Sequence, residues 1–578
     1  MSDDDDEGWD VFESAVGSSR FSSVESDRFS GSNTFRGRAS TTGRERASTA
    51  TRRWRSSTVD DPHVSDEERG QVLALLGKAQ PPPYGIFWVD KVQEKSGGKH
   101  AQKRMLAIGA AEVLSIKRGS SGTLQVQRRG QLFNIESYGH VKGGGDVVSL
   151  HFSEGFVIAF NVTSSRDVDV LRTLDRALTD ANFGRAHMMP VVARRTKEML
   201  KSDEDEGGVS PPVQSHPASY LANCCLRKLE PRVAVIQHLK AQLSSVTAGS
   251  TPGADRRVLS LSACFPKKTR HEQLLCLEPM LRASPWFDAV VVRRTAISAL
   301  GVEYLVHAVA ANPAVKQLAI SGAGLLGEKH LHSLVTFGPH LTHLDLSHNR
   351  IGDKGAAHLA RALQGLESPP PPKAFDSGEA RPARAGGCTL QVLKLSGCEL
   401  NASALARLRV FLQSRAWARS LHTLELSECP LGSKGTEIIE SFVGNSRALK
   451  TLRIADCSLS TTPIFNALAS NEHAAQSLTL LDASGNGLDS MAGEALGDFL
   501  QVSMSIRGLL LRRTSPDAQS LRFLLSKACS NIHNERGRHA ESRDESFVMD
   551  LDLSENKFGT SHVDSIARTL SSVAMRDG

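Results

Sequence analysis

The sequence predicts an α/β protein in which a coil of repeated strand–helix units follows a small antiparallel β domain that ends in a helix. Three observations predict this fold class. A leucine pattern, with most starts 26 to 31 residues apart, recurs through 256–572. Short runs of β-branched and aromatic residues fill 82–184 instead. The composition, 40% hydrophobic but only 5% aromatic, is typical of a coil with a core of leucine and alanine.

The clearest unit is the stretch at 341–363, LTHLDLSHNRIGDKGAAHLARAL. It follows the pattern LxxLxLxxNxI at Leu341, Leu344, Leu346, Asn349 and Ile351. This pattern predicts a short strand, a tight turn and a helix, which is the unit of a leucine-rich repeat. Because a single unit cannot bury its own leucines, copies must stack on both of its sides.

Such copies are present on both sides of this unit. The frame fits at 287, 315, 390, 421, 449, 478, 506 and 548, and a degraded copy at 256 opens the array. We therefore expect about 9–10 units over 256–572, with polar insertions at 367–388 and 532–546, the second of them mobile. A period of roughly 28 residues leaves room for a full helix in each unit. In this the array resembles the ribonuclease-inhibitor class of repeats, which implies a horseshoe-shaped solenoid.

The asparagine position of the pattern is chemically informative. It holds two residue types in six of the units: Asn349, Asn486 and Asn556, and Cys398, Cys429 and Cys457. A buried side chain there must bond to the backbone at the turn, because an unsatisfied buried polar group is costly. Cys does so weakly, as a small hydrophobe. We therefore favour a packing role for these cysteines over metal binding or redox chemistry, and the odd total of nine cysteines indicates a reducing compartment.

Two segments lie outside the predicted domains. Residues 1–66 are rich in Ser, Thr, Arg and Asp, which predicts a disordered tail. This tail is either merely solvated or an arm that phosphorylation tunes toward an anionic surface. Residues 185–255 are predicted to be a linker and N-terminal cap. Its stretch CLRKLEPRVAVIQHLKAQL is expected to be helical despite Pro231 and to cover the open end of the coil.

The segment 82–184 predicts six or seven antiparallel strands, because its β-rich runs are separated by Gly-rich turns. A helical period follows at Val168, Leu171, Leu174 and Leu178, with Ser164 or Ser165 as its N-cap. This order of elements resembles a pleckstrin-homology (PH) domain, a small β-barrel with a C-terminal helix. With KRMLAIGAAEVLSIK at 103–117 it is similar to the divergent PH domain at the head of CARMIL proteins, actin regulators that join such a domain to leucine-rich repeats.

The resemblance to CARMIL proteins covers roughly 82–572 and implies a membrane-proximal, protein-binding scaffold linked to actin. Two features depart from it. The predicted closing helix lacks the tryptophan usual in PH domains. CARMIL proteins also continue into a segment with a capping-protein-binding motif, whereas this sequence ends at Gly578. Activity on capping protein is therefore not carried over.

In PH domains, phosphoinositides bind at the loop between the first two strands. Here that loop carries the candidate lipid-binding residues Lys91, Lys95, Lys99, Lys103 and Arg104. Lys103 and Arg104 match the basic pair that related domains place at the start of the second strand. Several cations on one loop can hold an anionic headgroup by charge-assisted bonds. A solvated hairpin loop is the alternative.

The concave face of the predicted horseshoe is the candidate protein-binding surface. The residue between the last two strand leucines points into it, and this row reads Asp345, Lys394, Glu425, Arg453, Asp482, Leu510 and Asp552. Because parallel strands stand about 4.8 Å apart, neighbours of opposite sign are expected to pair. Nucleic acid requires a single sign of charge, so this row favours a protein partner with a mixed-charge surface. Four arginines at strand ends could form basic spots: Arg293, Arg294, Arg512 and Arg513.

Catalysis, cofactors and metals have no candidate residues. The sequence contains no phosphate-binding Walker loop, no GxSxG motif, no kinase signature and no paired acid and base. Gly322, Gly324 and Gly327 form a GxGxxG run, yet they fall on the repeat frame and predict no nucleotide. The histidines crowded at 330–348 are expected to spread over helix, loop and strand rather than to bind metal. A net charge of +6 over 578 residues gives no case for nucleic acid.

The sequence therefore predicts a non-enzymatic protein-binding scaffold, CARMIL-like, without cofactor or small-molecule substrate. One alternative is a GTPase-activating protein, because Ran GTPase-activating proteins use the same repeat class. A second alternative is a structural cytoskeletal component without lipid binding. The N-terminus has no signal sequence and no stretch approaches 18 apolar residues. We expect the protein in the cytoplasm, peripheral to the plasma membrane or cytoskeleton.

Overall fold

The structure, a computed structural model, describes residues 59–77, 83–92, 102–140, 147–161, 167–183, 192–193, 215–247, 257–324, 340–367, 390–539 and 549–574. The described strands form two sheets, one of nine strands and one of ten. The first sheet contains β1 Val59–Asp60, β2 Gly85–Lys91, β3 Gln102–Ile108, β4 Glu112–Arg118, β5 Leu124–Gln131, β6 Ile135–His140, β7 Val147–Phe152, β8 Val157–Asn161 and β9 Val192–Ala193.

The first sheet is built from two antiparallel meanders. Strands β2 to β5 form one meander, strands β6 to β8 form the other, and the end of β2 pairs with the end of β8. A 3₁₀ turn at Leu132–Asn134 joins the meanders. Helix α1, Asp66–Leu76, lies between β1 and β2 in the chain, and helix α2, Asp167–Ala181, lies between β8 and β9. Leu171, Leu174 and Leu178 of α2 are buried in the core, as helical spacing requires.

Both faces of the sheet are covered along β3. Leu106 and Ile108 belong to the large core that includes α2. Met105 and Ala107, which point the other way, pack in a second cluster with α1. Helix α1 begins with a capping box, in which the Ser65 and Glu68 side chains each accept a hydrogen bond from the other residue's backbone N–H.

The predicted tail 1–66 is therefore too long at its C-terminal end. Residues 1–58 lie outside the described residues. From Val59 onward the chain belongs to the fold, because β1 pairs in parallel with β2. Asp61 and Val64 are buried immediately after it. The N-cap candidates Ser164 and Ser165 also lie outside the described residues.

The predicted linker 185–255 contains two helices in its described part. Helix α3 spans His216–Leu226 and helix α4 spans Val233–Thr247. The expectation of one helix running through Pro231 is wrong, because α3 ends at Leu226. The helix ends in a left-handed turn at Lys228 (φ 55°), where the backbone N–H of Leu229 donates to the carbonyl of Cys224 at 2.9 Å.

The second sheet consists of ten parallel strands that pair strictly in chain order. They are β10 Val258–Ser260, β11 Ala289–Arg293, β12 Gln317–Ser321, β13 His343–Asp345, β14 Val392–Lys394, β15 Thr423–Glu425, β16 Thr451–Arg453, β17 Leu480–Asp482, β18 Gly508–Leu510 and β19 Asp550–Asp552. Each strand lies on the predicted frame, including the degraded copy at 256. The chain has the predicted leucine-rich-repeat fold.

In the described connections between these strands, helices bury the leucines of the pattern. They are α5 Leu261–Cys264, α6 His271–Ala283, α7 Ala299–Ala311, α8 Gly352–Glu367, α9 Ala402–Leu412, α10 Arg415–Ser420, α11 Gly432–Asn445, α12 Thr461–Ser470, α13 Glu472–Ser477, α14 Ser490–Val502, α15 Ala518–His539 and α16 Thr560–Ala574. The first insertion lies outside the described residues except at its start. The second insertion was predicted at 532–546; its first part continues α15 as a helix to His539, and 540–546 lie outside the described residues.

The asparagine position links each repeat to the one before it. Asn486 donates to the carbonyls of Ile454 (2.8 Å) and Ala483 (3.1 Å), and it accepts from the backbone N–H of Leu459 (3.0 Å). Cys457 donates only its thiol, to the carbonyl of Leu426 at 3.1 Å and to Ala455 at 3.3 Å. The predicted backbone-bonding role of these residues is confirmed, with the described cysteines all free.

Candidate functional site

The strand face is the surface of the ten-stranded sheet opposite its helices. In nearly every short strand the middle residue is buried and both flanking residues are partly exposed. The register sets one row along this face, in which each residue pairs with the next: Asp345, Lys394, Glu425, Arg453, Asp482, Leu510 and Asp552. The first six line a groove of about 850 Å³. The predicted row is thus a continuous surface.

Ion pairs join the middle of this row. Lys394 Nζ lies 2.9 Å from Glu425 Oε1, and Arg453 Nε lies 3.8 Å from the same oxygen. The Glu425 side chain is only 14% exposed between its two cations. The predicted self-neutralisation is therefore present at these three residues. Because two cations share one carboxylate, these three residues keep a net charge of +1 in the middle of the row.

The aspartates of the row have a structural hydrogen bond that the leucine pattern alone does not predict. In each of them Oδ1 accepts the backbone N–H of the residue two positions later, at 2.9 to 3.2 Å: Asp345 from Ser347, Asp482 from Ser484 and Asp552 from Ser554. A short acidic side chain suits such a turn. For Asp552, the Ser554 hydroxyl and backbone N–H, with Arg512, hold the pKa of the carboxyl below its usual value.

A second row follows the strands, at the residue before each asparagine position. Nine residues there have φ between 50° and 68°: Arg294, Gly322, His348, Gly397, Glu428, Asp456, Gly485, Arg513 and Glu555. We call them the turn row. Their backbone N–H groups continue the ladder; that of Asp456, for example, donates to the carbonyl of Ser484 at 2.8 Å. These side chains are therefore presented by a hydrogen-bonded backbone.

Glycines in the turn row let charged side chains meet across a whole repeat. Arg513 Nη2 reaches Asp456 Oδ2 at 2.7 Å over Gly485, where a Cβ atom would clash with the Asp456 carboxylate. His348 Nδ1 lies 4.0 Å from Glu428 over Gly397 in the same manner. The sequence could have predicted these contacts, because a glycine stands between two charged residues at the equivalent positions of three consecutive repeats.

Only half of the predicted basic spots remain basic. Arg512 lies 2.6 Å from Glu555 and 3.6 Å from Asp552, and Arg513 also contacts Glu555. The expectation of a basic spot at this end of the row is wrong, because these acids neutralise it. Arg293 and Arg294, in contrast, are exposed and form no ion pair with another described residue.

A second groove, of about 800 Å³, opens on the first sheet. We call it the basic groove; Lys91, Arg104, Arg128 and Phe156 line it. The Arg128 guanidinium lies 5.8 Å from the centre of the Phe156 ring and donates to the carbonyl of Val157. Arg104 is nearly buried and donates to Gln102 Oε1 at 2.8 Å.

The structure separates the predicted basic pair. Lys103 pairs with Asp90 and Arg104 with Val89, so their side chains point to opposite faces of β3. Lys91 shares the face of Arg104 and lies in the basic groove, whereas Lys103 does not line it. Lys95 and Lys99 lie outside the described residues. Arg128 was missed because it lies far from the predicted loop in sequence.

Metal-binding clusters are absent from the described ranges. These ranges contain no group of three His, Cys, Asp or Glu side chains arranged to hold a metal ion. His340 contacts the carbonyl of Val309 and His343 contacts the hydroxyl of Thr342, so these histidines do not converge. No helix in that part of the chain is both long enough and apolar enough to cross a membrane.

Comparison with known proteins supports the repeat fold. The family model described as "Leucine Rich repeat" matches residues 339–360. Ribonuclease inhibitor of Sus scrofa is 31% identical over 176 residues, which cover 30% of this chain and 33% of the inhibitor. Two structural likenesses have low TM-scores: 0.26 for the TLR13–ssRNA13 complex (18% identity; 44% of this chain and 32% of that chain) and 0.25 for an internalin from Listeria monocytogenes (13% identity; 53% and 87%).

A longer match is to the human protein named "Capping protein, Arp2/3 and myosin-I linker protein 3". It is 26% identical over 384 residues, which cover 51% of this chain and 26% of that protein. The protein of the same name from Rattus norvegicus matches over the same length. This chain therefore spans between a quarter and a third of the length of these relatives.

Proposed function

We propose that this chain is a non-enzymatic scaffold that binds other proteins through the strand face of its leucine-rich repeats. The observation that carries the proposal is the row of partly exposed polar side chains on consecutive parallel strands. These strands hold the row on a hydrogen-bonded backbone, so a partner meets a preformed surface and little ordering entropy is lost on binding. The expected horseshoe would make this face concave.

The link to actin comes from a relative. The name of the human linker protein ties it to capping protein, Arp2/3 and myosin I. Because its match covers half of this chain, we place the scaffold in the cytoplasm at the actin cytoskeleton. The domain plan that goes with this is a PH-like domain over 82–184, a cap within 185–255 and repeats over 256–572.

A PH-like domain is supported by the order of strands and helix. Seven antiparallel strands, in the order β5-β4-β3-β2-β8-β7-β6, are followed directly by α2. The basic groove then supplies a candidate phosphoinositide site with Lys91, Arg104 and Arg128, to which Lys95 and Lys99 would add charge. Several cations near one anionic headgroup favour binding to a membrane surface.

The protein-binding role is tested by affinity capture from cell extract with the full chain. Leu510→Arg places a long cationic side chain on the strand face. An arginine fits at this position of a repeat, because Arg453 occupies the equivalent position on β16. Val410→Arg makes the same change on helix α9, where Val410 is 64% exposed. We expect Leu510→Arg to lose the captured partners and Val410→Arg to keep them. Equal capture by both variants would contradict the proposal.

The membrane role is tested by flotation with phosphatidylcholine vesicles, with and without phosphatidylinositol bisphosphate. The wild type is expected to float only with the phosphoinositide. Lys91→Glu/Arg128→Glu should abolish flotation, whereas Lys103→Glu, on the opposite face of the sheet, should retain it. If the wild type does not float, the structural cytoskeletal role without lipid binding is favoured instead.

A further inference from the structure

The groove on the strand face carries unpartnered positive charge at one end. Arg293 and Arg294 are exposed, line the groove and have no ion pair with another described residue. The other cations of the groove each lie beside a carboxylate. Lys394 and Arg453 share Glu425, and Arg513 contacts Asp456. The positive charge that lies beside no described carboxylate is therefore at the first repeats.

Unpartnered negative charge lies further along the same groove. Asp345 and Asp482 each accept a backbone N–H through Oδ1 and form no ion pair with another described residue. Among the described residues, Glu428 pairs only with the imidazole of His348, at 4.0 Å, which is a weak partner when neutral. Its side chain is 60% exposed. Lys394, Glu425 and Arg453 lie among these three carboxylates and sum to +1, so the six residues together give the middle repeats a net charge of −2.

The basic end of the groove and its acidic middle lie at fixed positions on the sheet. The backbone N–H of Arg294 donates to the carbonyl of Ser321 at 2.9 Å, and that of Arg293 donates to the Ser262 hydroxyl at 2.6 Å. Strand β11 is two strand steps from β13 and six from β17. At about 4.8 Å per step, the arginines lie roughly 10 Å from Asp345 and roughly 29 Å from Asp482 along the sheet.

We propose that this groove is polarised and takes a protein segment in which an acidic block and a basic block are separated by about 10–30 Å. The acidic block lies over Arg293 and Arg294, and the basic block lies over Asp345, Glu428 and Asp482. Nucleic acid does not fit, because its uniform negative charge would meet the carboxylates. The inference rests on the proposed protein-binding function and specifies the partner for it.

The probe is a fluorescein-labelled peptide with a Glu block and a Lys block separated by Gly and Ser, the block centres about 20 Å apart when extended. A second peptide of the same composition alternates Glu and Lys. We measure the affinity of the full chain for each by fluorescence anisotropy at low salt. Several exposed charge pairs together should make the block peptide bind about tenfold more tightly.

Two variants locate the binding. Arg293→Glu/Arg294→Glu reverses the basic end, and the left-handed turn tolerates Glu because Glu428 and Glu555 adopt it elsewhere. Asp345→Asn/Asp482→Asn removes charge but retains an oxygen for the turn hydrogen bonds. Each double variant should bring the affinity for the block peptide down to that for the alternating peptide. Arg409→Glu/Arg415→Glu, on helices α9 and α10, is the matched control and should change nothing.

The inference would be overturned if the chain bound the two peptides with equal affinity or bound neither of them saturably. It would also be overturned if the control variant weakened binding of the block peptide as much as the two test variants do. Such an outcome is distinguishable from failure of the proposed function. If Leu510→Arg still abolishes capture of protein partners while the peptides bind alike, only the polarity is wrong. If Leu510→Arg has no effect on capture, the strand face is not the binding surface.

Discussion

The residue at the asparagine position of each repeat determines how many hydrogen bonds join that repeat to the one before it. Asn486 supplies donors and an acceptor to buried backbone groups of two repeats, whereas Cys457 supplies one thiol donor. Removing the amide leaves several buried groups unsatisfied at about 1–3 kcal/mol each, and a thiol is a much weaker partner. The difference in side-chain chemistry should therefore appear as a difference in stability.

We predict that Asn486→Ala lowers the free energy of unfolding by about 3 kcal/mol or more, and Cys457→Ala by about 1 kcal/mol. Urea unfolding followed by circular dichroism measures both. Cys429→Ala serves as a second thiol control, since its Sγ donates to the carbonyl of Leu395 at 3.4 Å. Equal losses for Asn486→Ala and Cys457→Ala would show that the hydrogen bonds contribute little.

His216 is a fully buried histidine packed against aromatic rings. It is fully buried between Phe183 and Phe287, and neither ring nitrogen has a hydrogen-bond partner among the described residues. Burial lowers the pKa of its imidazole to about 3. The folded chain therefore binds this proton far less readily than the unfolded chain, whose histidine titrates near pH 6.5.

Stability should consequently decline as pH falls from about 6.5 toward the folded pKa of about 3, at roughly 1.4 kcal/mol per pH unit from this group. Above pH 6.5 this contribution to stability is fully present. His216→Phe fits between the two rings and should remove that part of the slope. The measurement is urea unfolding of both proteins at pH 7 and pH 5. Identical pH dependence of the two proteins would contradict the prediction.

At the scale of elements, glycine in the turn row has a specific use. Gly485 has φ 68°, and its missing Cβ leaves room for the ion pair between Asp456 and Arg513. Gly432 has φ 60°, but a Cβ added there would meet open space, with no neighbouring atom within 4 Å. A side chain substituted at either position would therefore meet the same left-handed backbone strain, but only at position 485 would it also be crowded by a neighbouring group.

Gly485→Ala is predicted to be more destabilising than Gly432→Ala by about 1–3 kcal/mol, the usual cost of overpacking. Thermal unfolding of both variants gives the comparison. Asp456→Ala added to Gly485→Ala should recover part of the loss, because it removes the clashing carboxylate. Equal destabilisation by the two glycine variants would show that only the left-handed backbone conformation matters.

Elements whose apolar residues recur at a regular spacing could be predicted from the sequence. Elements without such a regular spacing could not. The leucine frame places Leu344, Leu393 and Leu424 at strand centres because each must face the same core. It also places the charged row, since position in the frame decides which side chains face out. The separation of Lys103 from Arg104 was readable too, because neighbours in a strand face opposite sides.

The missed elements have identifiable physical causes. Helix α1 begins with charged residues and buries mainly Val72 and Leu76, so its apolar period is short. Helices α3 and α4 flank Pro231, which separates two apolar stretches that resemble one. The contacts of Arg512 and Arg513 with Glu555 depend on side chains brought together across an insertion. No periodicity encodes such contacts.

At the scale of the whole molecule, one large core runs from the first sheet through the repeats, and a smaller cluster lies under α1. Helix α3 lies between α2 and α6, and joins the core of the first sheet to that of the repeats. At the other end, Leu551, Leu553 and Phe558 of the last repeat are only partly buried. Leucines of interior repeats, such as Leu452, are fully buried. The last repeat should therefore have a lower local stability than the interior repeats.

Leu452→Ala is predicted to cost about 2–5 kcal/mol, the usual range for a buried leucine. Leu551→Ala should cost about 1 kcal/mol, because part of that side chain is already in water. Unfolding in urea measures both, and hydrogen exchange should show less amide protection in β19 than in β16. A cost at Leu551 equal to that at Leu452 would mean that the last repeat is as firmly packed as the middle ones.

Binding of partners on the strand face can be located by site-specific photo-crosslinking in cells. A photoreactive phenylalanine replaces either Leu510 on strand β18 or Met491 on helix α14, where the side chain is 67% exposed. We predict crosslinks to a partner protein from position 510 and none from position 491. Crosslinks from position 491 alone would contradict the claim.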